Sequence, residues 1–263
     1  MLNYFSVNKS FLKKKSNDFF TVYGINNCIS LLSSKLNIDI KLISINKSAK
    51  RFESKKLDEI IKTNKFPISF LDNNTFNNKF FQKHTQGIVI DFTYDFYHDI
   101  FLKNNFSENE CFLILDQIND PQNLGQIIRT SECAGINGII IPKNNSARIT
   151  NTVLQVSQGA FINTKIYMQT NLRSTIDYLK SKGFWIVGVE NGVEAKQWYE
   201  LNYKGKIIFI LGSEGRGIRQ LIKKNCDFLA TIKMNGKIDS LNVTAATSII
   251  LFERQRQLSN KLY

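Results

Sequence analysis

Beyond residue 109, short apolar runs recur at 112–115, 138–141, Trp185–Val189 and 207–211, each too brief for a helix, with helically spaced stretches at 124–134, 152–158, 172–182 and 218–224 between them. A last strand is expected at 228–232, ahead of a final helix at 242–257. Alternation of this kind requires a mostly parallel sheet covered by helices on both faces, because parallel neighbours need a long crossover between them. The fold class is therefore α/β. In such sheets ligands bind at the loops beyond the strand C-termini.

Upstream, a helix at 26–34, a strand at 38–45, a helix at 54–64 and strands at 67–71 and 86–92 predict a second, smaller α/β layer. Between the two parts, Tyr94, Asp95, Phe96, Tyr97, His98 and Asp99 open a polar-aromatic segment with no sustained period. The expected organisation is a flexible basic arm at 1–19, a small domain at 20–93, a linker at 94–108 and a larger domain at 109–263. A length of 263 residues suits two modest domains, and a composition 43% hydrophobic and 12% aromatic argues against disorder.

The formal net charge of +13 falls on both parts, with 16 basic against 9 acidic residues up to position 103 and 19 against 13 beyond it. Such an excess fits a polyanionic partner, nucleic acid first. Enrichment in Lys and Asn through an AT-rich genome would give the same sum. No apolar run approaches the roughly 18–20 residues needed to cross a bilayer, so no membrane partner is expected. Cys28, Cys111, Cys133 and Cys226 are scattered, without disulfide or zinc-ligand spacing, which fits reduced thiols in a cytoplasmic setting, or an organelle if the source is eukaryotic.

Three strand-to-helix loops carry unusual residues. The first, 116–130, offers Asn123 where a helix N-cap is expected and Arg129 further along the same helix. An arginine so placed can hold a phosphate or polarise an oxygen, or it can be a solvated surface residue. The second, 211–218, has Gly212, Gly215 and Gly217 around Glu214, which lets backbone approach a ligand closely but does not match the dinucleotide fingerprint. In the third, 232–246, Ser240 or Asn242 can cap the last helix.

Taken together, NLGxxxRT at 123–130, LGSEGRGI at 211–218 and SLNVTAA at 240–246 resemble the three ordered motifs of the SpoU/TrmH branch of the SPOUT RNA methyltransferases. Val22, Tyr23, Gly24 and Ile25, with Gln86, Gly87, Ile88 and Val89, resemble the substrate-binding domain of the RlmB-like subgroup. The likeness runs from about residue 20 to the C-terminus. Thr244-Ala245 stands where relatives often have Ser-Val, a packing variant.

The resemblance implies a trefoil knot in the C-terminal domain, S-adenosylmethionine as cofactor and no metal. It places the cofactor against Leu211, Gly212, Glu214, Gly217, Ile232, Met234, Ile238 and Leu241. It implies a homodimer whose active site is completed across the interface, with Val243, Ala246, Ile250 and Leu251 of the final helix as candidate contributors. The implied reaction is methylation of a ribose 2′-hydroxyl, on a guanosine of large-subunit 23S rRNA near the peptidyl-transferase centre. Arg129 then serves the acceptor hydroxyl or its phosphate, Asn123 orients Arg129 or the ribose, Glu214 holds the polar network, and Ser240 and Asn242 complete it. Lys41, Lys47, Lys50, Arg51, Lys55 and Lys56 would face the RNA backbone. A tRNA ribose methyltransferase, or a catalytically silent RNA-binding assembly factor, are the alternatives.

Overall fold

The computed structural model describes residues 19–48, 54–81, 83–192, 195–213 and 215–259. The basic arm except Phe19, together with Lys50, Arg51 and Glu214, lies outside them. Among the described residues the elements are β1 (Phe20–Tyr23), α1 (Ile25–Leu32), β2 (Asp39–Asn46), α2 (Lys55–Thr63), β3 (Ile68–Leu71), α3 (Asn73–Lys79) and β4 (Ile88–Thr93). They continue with β5 (Tyr97–His98), β6 (Cys111–Asp116), α4 (Pro121–Cys133), β7 (Gly138–Pro142), α5 (Asn151–Val156), β8 (Ile166–Gln169) and α6 (Leu172–Ser181). The last are β9 (Trp185–Val189), β10 (Lys196–Gln197), β11 (Ile207–Gly212), α7 (Gln220–Lys223), β12 (Phe228–Thr231) and α8 (Val243–Ser259).

The strands form two sheets. The first has order β1-β4-β2-β3, antiparallel except between β2 and β3. The second has order β10-β12-β9-β11-β6-β7-β8-β5 and is parallel at every pairing. All six residues of β6 and all five of β7 are buried, as a sheet covered on both faces demands. Side chains alternate between the faces: Leu113, Leu115, Phe209 and Leu211 join the core under α4, α5 and α8, whereas Phe112, Ile114, Ile208 and Ile210 join the one under α6 and α7. Each such side chain contributes about 1.5–3 kcal/mol by leaving water.

Several expectations need correction. Asn123 does not cap α4; the cap is Asp120, whose Oδ1 accepts from the Gln122 N–H at 2.9 Å, with Pro121 supplying the first helical residue. Helix α7 is a single turn rather than the stretch 218–224. The segment read as a linker carries β5, which pairs with β8, and buried Phe96, packed edge-on to Phe20 and Phe161. In α8, Val243, Ile250 and Leu251 are buried in the core of their own chain, so they do not form a surface for a second copy.

The two sheets are joined by specific bonds. Asn151 and Gln155, one turn apart on α5, meet the outer edge of β1: Asn151 Oδ1 accepts from the Thr21 N–H at 2.9 Å, and the Gln155 amide both donates to the Tyr23 carbonyl at 3.2 Å and accepts from its N–H at 3.4 Å. An edge strand is thereby satisfied by side chains instead of another strand. No helix among the described residues is long and apolar enough to cross a membrane.

Replacing both amides, Asn151→Ala with Gln155→Ala, removes three bonds and is expected to cost about 1.5–4.5 kcal/mol at roughly 0.5–1.5 kcal/mol per bond. Amide hydrogen exchange at Thr21 and Tyr23 should accelerate while exchange in β6 and β11 stays slow.

Candidate active site

Strands β9, β11 and β12 end side by side, and the chain beyond each of them encloses a cavity of about 280 Å³. Val189, Glu190 and Asn191 come from the end of β9, Leu211, Gly212 and Ser213 from the end of β11, and Ile232 and Met234 from beyond β12. Ser240, Leu241, Val243 and Ala246 close it at the start of α8, with Arg216 and Gly217 on the facing loop.

The loop after β11 folds back sharply. A side-chain carbon on Gly212 would stand 2.0 Å from the Gly217 carbonyl carbon, which only hydrogen permits. Gly217 itself has φ of 64°, and its N–H donates to the Ser213 carbonyl at 2.8 Å. The motif glycine on α4 has a different cause: a carbon on Gly125 would meet Val156 Cβ at 2.7 Å, so it permits α4 to lie against α5.

Four side-chain links fasten the loops to one another. Asp116, fully buried at the end of β6, accepts from the Arg219 N–H at 2.9 Å and from its guanidinium Nε at 2.8 Å. Glu190 accepts from the Ile218 N–H at 2.9 Å and pairs with Lys223 at 2.8 Å. Asn191 donates to the Asp239 carbonyl at 2.8 Å and accepts from the Thr231 hydroxyl at 2.9 Å. Asn242 donates to Asn123 Oδ1 at 3.2 Å, while its own Oδ1 takes the Thr244 N–H at 2.8 Å and so starts α8.

Of the residues expected around a cofactor, Leu211, Gly212, Gly217, Ile232, Met234 and Leu241 line the cavity; Ile238, 77% exposed, does not, and Glu214 lies outside the described residues. Of those expected in catalysis, Ser240 lines the cavity, and Asn123 and Asn242 bond to each other beside it. Arg129 stands apart. It is exposed, lies about 120° around the helix from Asn123, and lines a separate cleft between α4 and α1. Asn123 therefore does not orient it within one chain. Sequence reasoning missed Glu190, Asn191, Ser213, Arg216 and the pair Asp116–Arg219. Polar residues ending apolar runs at 116 and 190–191 were the available signal.

The chain matches known proteins in sequence and in fold. The model of the SpoU rRNA Methylase family matches residues 110–252. The 23S rRNA (guanosine-2'-O-)-methyltransferase RlmB of Coxiella burnetii is 36% identical over 243 residues, 90% of this chain and 95% of that protein. The protein of the same name from Shewanella oneidensis is 43% identical over 145 residues, but there the match spans 55% of this chain and only 58% of that protein. The crystal structure of an AdoMet-bound rRNA methyltransferase from Sinorhizobium meliloti superposes with a TM-score of 0.76 at 23% identity, covering 91% of this chain and 88% of that one, a likeness of fold.

Asp116→Ala removes three donors' acceptor and releases the loop after β11. Because Arg219 is half exposed and can rehydrate, the expected loss is about 1–3 kcal/mol, below the value for a fully buried pair. Denaturant titration measures it, and Asp116→Asn, which keeps one acceptor, should lose less.

Proposed function

The chain belongs to the SpoU rRNA methylase family, and we propose that it transfers a methyl group from S-adenosylmethionine to a ribose 2′-hydroxyl of RNA, on a guanosine of large-subunit 23S rRNA. The observation that carries this reading is the convergence of the loops after β9, β11 and β12 on one cavity at the ends of parallel strands, with Arg219 and Asn242 bonded back across 103 and 119 positions to Asp116 and Asn123. Its lining fits the cofactor: apolar Leu211, Ile232, Leu241, Val243 and Ala246 suit an adenine ring, Gly212 and Gly217 offer bare backbone, and Asn191, Ser213 and Ser240 offer polar contacts for a ribose and an amino acid. When bound, S-adenosylmethionine supplies an electrophilic methyl group on sulfur, so the protein's part is placement.

Ser240 and Asn242 act at the mouth of the cavity, and Asn123, held by Asn242, faces the acceptor ribose. Arg129 holds the acceptor's phosphate or its developing oxyanion. Since Arg129 opens onto a different cleft of its own chain, this role belongs to a homodimer in which one copy's arginine serves the other's cavity. A guanidinium keeps its proton at neutral pH, so phosphate or water takes the proton from the hydroxyl. Glu214 keeps its proposed part in the polar network, and a trefoil knot within 109–263 belongs to the same reading.

The sheet at 20–93 selects the RNA, with exposed Lys41, Lys47, Lys55 and Lys56 facing phosphates. Residues 94–108 connect it to the methyltransferase domain at 109–263. The site of action is the cytoplasm, where the substrate is assembled.

Labelled methyl transfer from S-adenosylmethionine to unmodified large-subunit rRNA, with bulk tRNA in parallel and ribose methylation mapped at nucleotide resolution, tests the reading. One labelled rRNA ribose is expected; labelling of tRNA alone would overturn the substrate. Arg129→Ala should lower kcat by about 100-fold or more, on the scale of removing one oxyanion donor, with the cofactor affinity unchanged. Turnover at the wild-type rate would remove Arg129 from the mechanism.

A further inference from the structure

The cleft beside Arg129 is a second site in its own right. It has a volume of about 400 Å³ and lies where the two sheets meet, with Asn26, Ile29 and Ser30 of α1 on one wall. Arg129, Glu132 and Cys133 of α4 form the other, and the turn 157–160 with Asn163 forms the floor. Its walls are fixed relative to each other by the Asn151 and Gln155 bonds to β1 and by the packing of Ser30 against Gly159.

The charge of this lining selects what can enter. Glu132 lies one helical turn from Arg129, and its Oε1 already accepts from Asn163 Nδ2 at 3.1 Å. A carboxylate on the wall repels a bare phosphate but accepts the N–H groups of a nucleobase edge. Asn26, exposed at the start of α1, offers both a donor and an acceptor from the opposite wall, and Ile29 and Ala160 supply apolar contact for the ring. Arg129 at the same cleft provides the cation for the adjoining phosphate.

We propose that this cleft binds an unpaired nucleobase of the RNA substrate, with Glu132 and Asn26 bonding its edge while Arg129 holds the neighbouring phosphate. The assignment rests on the RNA-methyltransferase reading and deepens it: the substrate presents an extruded base next to the methylated ribose, so the folded single-stranded parts of rRNA are favoured over duplex. It also gives the smaller sheet a direct part in selection, through Asn26, in addition to its lysines.

The test is equilibrium binding of an unmodified large-subunit rRNA fragment to the full chain, followed by fluorescence anisotropy at several salt concentrations. Asn26→Ala should raise Kd at least fivefold without changing the slope of log Kd against log salt, because no phosphate contact is lost. Glu132→Gln is the sharper variant. Removing a negative charge would by electrostatics alone tighten RNA binding, whereas an amide whose one oxygen stays with Asn163 turns a donor toward the base edge and should weaken binding by about fivefold or more. Thermal melting and cofactor titration of each variant establish that it is folded. Tighter binding by Glu132→Gln, or an unaltered Kd for Asn26→Ala, would overturn the cleft assignment and leave the methyltransferase reading standing. Failure of the wild-type chain to bind or methylate the rRNA would overturn both.

Discussion

The backbone of Gly212 rests directly on that of Gly217, at a distance that excludes any side chain on Gly212. This contact turns the chain back at the end of β11 so that Ile218 and Arg219 reach Glu190 and Asp116, carboxylates at the ends of the two strands that flank β11. A buried acid at the end of a central strand is costly unless its oxygens are bonded, and here Arg219 satisfies it with both backbone and guanidinium. The cavity's shape thus follows from a steric constraint in one loop and from two carboxylates that bind the chain as it returns, Asp116 through Arg219 and Glu190 through Ile218 and Lys223.

The same logic joins the remaining loops. Asn191 draws the segment after β12 toward β9, and Asn242 links the start of α8 to α4. Because each link spans tens of residues or more, the cavity depends on β6, β9, β11 and β12 being in place together. Val189, Leu211 and Gly212 thus line the cavity from strand ends and Val243 and Ala246 from α8, which suits a reaction in which the protein aligns two reactants.

Much of this was legible in the sequence, for identifiable reasons. Strands buried throughout, such as β6 and β7, or in all but the last residue, such as β11, advertise themselves as apolar runs, and the alternation with helices leaves little choice but a parallel sheet. Strand β8 was missed because Ile166–Gln169 mixes apolar with polar residues, β5 and β10 because two residues carry no pattern, and α3 because its asparagine-rich sequence has weak helical preference and depends on the Asp72 cap. The motif loops were visible by their glycines and polar residues, yet the pairings that hold them were not: Asp116 and Arg219 lie 103 positions apart, and spacing says nothing about such a contact. The six-residue spacing of Asn123 and Arg129 already implies different faces of α4, by helical phase, but not which cleft each face meets, and spacing does not show that Val243, Ile250 and Leu251 turn inward.

If the tied loops form a cofactor site, the chain should hold S-adenosyl compounds in the absence of RNA. Isothermal titration of the 263-residue chain with S-adenosylhomocysteine measures this directly. One equivalent bound per chain, with binding weakened when Asn191 is replaced by alanine, is the expected result. An absence of measurable binding by folded protein at millimolar ligand would contradict the assignment of the cavity.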